Sequence, residues 1–81
     1  MRDEQVRKLY RVILTQPLKP QNKAAKDLLD RFMATYGERV RLLNLGRSGQ
    51  ARELWLEIRT LAEQIQHLMN SGDVLILEGA Q

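Results

Sequence analysis

The chain offers few side chains that could do chemistry. It has one histidine, His67, and no cysteine. Thiol catalysis, disulfides and thiolate metal sites are therefore excluded, and a structural zinc site lacks ligands. On a helical wheel His67 falls beside Thr60 and Glu63, away from the apolar residues of its segment. A general base in a water-excluded cleft needs other surroundings. Ser48 and Ser71 lie at turn signals, where the ordinary task of a hydroxyl is capping. Glu53 and Glu57 stand one helical turn apart, as a glycosidase or an oxygen-ligand metal site might use them. No third ligand converges on that pair, so a solvated helix face is the better reading. These residues predict no enzymatic activity, no metal and no cofactor.

Phosphate binding has more material. Gly46–Arg47–Ser48–Gly49 is a Gly-bracketed turn opening a helix, a setting that exposes backbone N–H groups to anions. It is not a P-loop, because Gln50–Ala51 replaces the Lys-Ser/Thr pair, and it lacks the third glycine of a dinucleotide fingerprint. Over Leu45 to Leu54 it resembles the Gly-x-x-Gly loop of KH RNA-binding domains, which clamps nucleic-acid backbone. It departs from that pattern in the length of the following helix and in Arg52, where an apolar residue is expected. A helix–helix turn that uses glycine for backbone freedom accounts for the same residues.

The basic side chains make the stronger case. Nine of the thirteen are arginine, which favours bidentate phosphate contacts. Arg7, Arg11, Arg39, Arg41 and Arg47 are the candidate phosphate ligands, with Lys8, Lys19, Lys23 and Lys26 around them. Tyr10, Phe32 and Tyr36 lie on apolar stripes, so no stacking platform is visible. A helix-turn-helix centred on Gly37 or Gly46 fails, since Met33 or Leu42 falls where that motif keeps a small residue.

Charge is unevenly spread. Residues 1–52 carry twelve Lys/Arg against five Asp/Glu, a balance of +7, and residues 53–81 carry one Arg against five acids, a balance of −4. An anionic partner or head-to-tail pairing would suit this asymmetry. With a net charge of only +3, mutual neutralisation of the two halves within the fold is the favoured reading.

Three helical patterns must position these residues. Val6, Leu9, Tyr10, Ile13 and Leu14 form a stripe from about Asp3 to Thr15, with Asp3 and Glu4 in the first turn. Pro17 and Pro20 end it and make Gln16–Gln21 a stiff connector. A second helix opens at Pro20 or an Asn22 cap and buries Ala25, Leu28, Leu29, Phe32 and Tyr36. Gly37 serves as its stop. Lys23–Asp27–Arg31 and Lys26–Asp30 would form i,i+4 ion pairs on its outer face. Glu38–Leu45 suits either a short helix or a strand.

The strongest pattern is the third. Leu54, Trp55, Ile58, Leu61, Ala62, Ile65, Leu68 and Met69 form a wide stripe from a Ser48 cap to a stop at Asn70–Ser71–Gly72. Asp73–Glu78 then reads as a short strand, to pair with Val40–Leu45, with a second chain, or to lie along the core. At ~33 Å the third helix exceeds the expected first and second, which leaves part of its stripe without a partner.

The fold expected is mainly α. It is a single small three-helix domain over residues 1–81, with a long C-terminal amphipathic helix and a short terminal β-strand. Eighty-one residues without cysteine give a small core, for which oligomerisation or a partner is the remaining support. Val12–Leu14 and Val74–Leu77 are the longest apolar runs, far short of a membrane span. With no signal-peptide pattern at Met1–Lys8, a cytoplasmic protein is expected. Trp55 at the stripe's edge, Leu56 off the stripe, and Val74, Leu75, Ile76 and Leu77 make a candidate contact surface. They predict a non-enzymatic protein–protein interaction module: an adaptor, inhibitor or assembly factor, homodimeric or bound to a protein partner. A nucleic-acid-binding regulator using the Arg-rich half is the alternative.

Overall fold

A computed structural model describes residues 1–77. The order is α1 (Asp3–Thr15), β1 (Leu18–Pro20), α2 (Lys23–Asn44), α3 (Ser48–Ser71) and β2 (Val74–Ile76). The chain is mainly helical, with three helices and a short C-terminal strand, as the hydrophobic periods predicted, and that strand belongs to a two-stranded antiparallel sheet. The expected strand began at Asp73 and ended at Glu78; its last residue lies outside the described residues.

α1 starts where its acids predicted, and the backbone N–H of Arg2 donates to Gln5 Oε1 at 2.8 Å. α2 opens on the expected Asn22 cap, whose Oδ1 accepts from the Ala25 N–H at 2.8 Å. Its C-terminus overturns the expected stop. Gly37 sits inside the helix, which continues for seven residues to Asn44. The ambiguous Glu38–Leu45 segment is therefore helical rather than a strand. Two gains offset the roughly 1 kcal/mol cost of an interior glycine. Leu42 buries its side chain, and Arg41 reaches back to Glu38 with Nε 2.9 Å from Oε2. Gly46, at φ 76°, supplies the left-handed stop instead.

α3 runs almost as expected and ends at Gly72, φ 85°. Its cap differs. Arg47 holds the N-cap position with no side-chain hydrogen bond, and Ser48 is the first helical residue. The extension of α2 to 22 residues against the 24 of α3 also removes the expected length excess. The two helices pack as an antiparallel hairpin, the most extensive contact in the molecule.

The register of that hairpin is simple. Residues equidistant from the Leu45–Gly46 turn face one another, so Tyr36 meets Trp55 with ring centroids 6.1 Å apart. α1 crosses this pair. Tyr10 stacks on Tyr36 at 3.7 Å and 9°, and meets Phe32 edge-on at 6.2 Å. The four aromatic residues of the chain thus form one seam through all three helices. Around it Val6, Leu9, Leu29, Ile58, Leu61, Ala62 and Ile65 are buried. Leu14, expected on the α1 stripe, is instead 58% exposed. The i,i+4 pairs expected on α2 do not close within 4.0 Å; Arg31 reaches across to Glu57 of α3 at 3.1 Å.

β2 does not pair with Val40–Leu45. Its partner is β1, inside the segment expected to be only a stiff connector. The register is Leu18↔Ile76, Lys19↔Leu75 and Pro20↔Val74. The Gln21 N–H to Asp73 O bond (2.8 Å) and the Leu77 N–H to Pro17 O bond (2.9 Å) flank it. Val74, only 2% exposed, plugs the core beneath this ribbon.

Candidate functional site

The hairpin register assembles one site at the turn end of the bundle. Arg39 stands six residues before Leu45, and Arg52 stands six residues after Gly46. They flank a cleft of about 230 Å³, to which α1 adds Arg7 and Asp3 and α3 adds Ser48, Ala51 and Trp55. Trp55 organises this cleft. Its Nε1 donates to Asp3 Oδ1 at 2.8 Å. The guanidinium carbons of Arg39 and Arg7 lie 4.3 and 5.5 Å from its ring centroid, both within cation–π range.

None of these three arginines has a carboxylate within 4.0 Å among the described residues. The one acid in the cleft, Asp3, is already engaged by Trp55 and lies 4.0 Å from Arg59. The first turn of α3 borders the cleft with no acid and no side-chain cap. Its backbone N–H groups add to the positive potential there. The arginines suit the cleft to an anion, while its one carboxylate, Asp3, is held by the Trp55 indole N–H. Among the described residues no three His, Asp or Glu side chains come together to hold a metal.

The expected phosphate ligands divide. Arg7 and Arg39 converge in the cleft. Arg11 lies one turn further along α1, lining a shallow groove with Arg7, Lys8 and Glu4. Arg47 is exposed at the α3 cap. Arg41 is occupied: its guanidinium hydrogen-bonds both oxygens of Glu38, which holds that carboxyl below its ordinary range and raises the arginine. Arg52 belongs to the cleft although sequence reasoning saw it only as a departure from an apolar pattern. Its equal distance from the turn would have paired it with Arg39, had α2 been carried past Gly37.

The expected contact residues also divide. Val74 faces inward and Trp55 is half-buried in its seam. Leu56 is 68% exposed on the outer face of α3. It lies fifteen residues before Ser71, so it is about 22 Å from the sheet along the helix. Leu75, Ile76 and Leu77 are exposed together at the opposite end of the molecule. Ile76 borders a groove of about 410 Å³ with Met1, Leu9, Val12 and Met69. β2 has no second neighbouring strand among the described residues. Antiparallel alternation turns the backbone groups of Lys19 and Leu75 toward each other and those of Val74 and Ile76 toward the outer edge. His67 is exposed, as predicted. No described helix is long and apolar enough to cross a membrane.

Compared with known families, curated proteins and solved structures, the chain matches no family model, no curated protein and no solved structure.

Proposed function

We propose that the protein is a non-enzymatic interaction module that docks an apolar segment of a partner protein at its sheet end. The observation that carries this reading is the run Leu75–Ile76–Leu77. These are three consecutive large aliphatic side chains, each more than two-fifths exposed, running along β2 and one residue past it, on an edge that no other described strand covers. Single exposed leucines are ordinary, but a contiguous run beside an apolar groove marks a contact surface. β1 is a poor edge, because Pro20, whose backbone faces outward like that of Val74 opposite it, lacks an N–H group. β2 carries no proline and can accept an added strand while the groove beside Ile76 takes a side chain. Such a module would serve as an adaptor, inhibitor or assembly factor, and its lack of cysteine suits a reducing compartment.

A photo-crosslinking residue placed at 75 or 77 tests the reading in the cell of origin. Labels at Asp27 and Glu53, which are exposed elsewhere, serve as controls. Discrete adducts are expected at 75 and 77, absent at the controls and lost on Ile76→Asp. An adduct with a second copy would make the partner the chain itself. Equal labelling at all four positions, or none, would overturn the proposal.

A further inference from the structure

We infer that the cleft at the turn end of the bundle binds the phosphate backbone of a nucleic acid, with Arg7, Arg39 and Arg52 as ligands. Three independent elements deliver one guanidinium each to the same opening, and none is neutralised by a carboxylate within 4.0 Å among the described residues. Like charges gathered this way repel one another, so the arrangement costs free energy unless an anion completes it. Trp55 lowers that cost in part. Its ring lies within cation–π distance of Arg39 and Arg7. A guanidinium held over an aromatic ring keeps its in-plane N–H groups available for bidentate contact with phosphate.

Size and surroundings point to the class of ligand. A volume of about 230 Å³ lies below the ~300 Å³ where sites that enclose a drug-sized molecule begin. It admits a group, not a whole nucleotide. The basic surface continues from Arg7 to Lys8 and Arg11 along the next turn of α1. A ligand with one phosphate would leave those charges unused, whereas a polyanion carries a further phosphate to them. The cleft shares no residue with the groove beside Ile76, and the strip meets that groove only at Lys8, so Arg39 and Arg52 test the inference apart from the docking surface described above.

Fluorescence anisotropy of a labelled 20-nucleotide single strand and of the matching duplex, titrated with the full chain at low salt, tests it. Saturable binding is expected to at least one of them. It should weaken steeply with added salt and be accompanied by a change in emission from Trp55, the only tryptophan. Arg39→Gln and Arg52→Gln should each weaken binding roughly tenfold and lower the salt slope by about one unit. Arg31→Gln makes the same change in net charge at a residue paired with Glu57, and should leave affinity within about twofold. Circular dichroism confirms that each variant keeps its helices. Four outcomes would overturn the inference: no binding at low salt, equal weakening by Arg31→Gln, equal displacement by polyglutamate, or tighter binding of a phosphopeptide than of either oligonucleotide.

Discussion

Trp55 is half-buried because each of its edges has a separate task. One edge meets Tyr36 in the core seam, the indole N–H holds Asp3, and the ring carries two arginines. Its place at the margin of the α3 stripe was readable from helical spacing, but its partners were not. All four lie on other helices, and only the tertiary register brings them near. The ion pairs are of a different kind. The Met1 ammonium lies 3.0 Å from Glu63 Oε1, and Arg41 grips Glu38. Hydrogen bonding from those cations holds both carboxyls below their ordinary values. A carboxyl whose value is lowered by folding stabilises the fold fully above its unfolded value, and that contribution disappears as pH falls through the folded one. The double variant Glu38→Gln/Glu63→Gln should therefore melt slightly below the parent at about pH 7 and level with it by about pH 2. Both carboxylates are exposed, so the deficit at neutral pH should be small. A deficit that persists unchanged at the acid end would show that the side chains act by packing.

At the scale of elements, glycine decided where sequence reading succeeded and failed. Gly46 and Gly72 both take positive φ and end helices, and both lie in turn signals the sequence displays openly. Gly37 carries the same letter but lies inside α2, with open space where a Cβ would point. A local stop signal and an interior glycine look alike until the burial of Leu42 is counted. Gly37→Ala should raise stability by about 0.5–1 kcal/mol, several degrees in melting temperature for a domain this size. Gly72→Ala places a side chain in the left-handed region and should cost about 1 kcal/mol. Thermal melts of the two variants should move in opposite directions; a loss at Gly37 would mean that α2 needs a break there. The helices were legible because each has a strong period of its own. β1 was not, because three residues that follow one proline and end on another have no period, and only the arrival of β2 makes them a strand.

Across the whole molecule the charge asymmetry is not resolved by pairing. Only Arg31–Glu57 joins a basic side chain of residues 1–52 to an acid beyond them within 4.0 Å among the described residues. A basic turn end and an apolar sheet end lie at opposite poles of a body 39 Å long. The sheet ties the end of the described chain back to its beginning, since Ile76 lies against Leu18. That closure sets an order of events. The α2–α3 hairpin needs only neighbouring sequence and can form early, but the ribbon must close across the whole stretch from Leu18 to Ile76. Until then the core lacks the plug that Val74 supplies, and α1 rests on few contacts with α3. Hydrogen exchange should show the ribbon and α1 opening together, at lower free energy than the hairpin, and equal protection in all three helices would refute that order. α1 lends Arg7 to the cleft at one pole and Leu9 and Val12 to the groove beside Ile76 at the other, so a single opening of α1 would dismantle both surfaces at once.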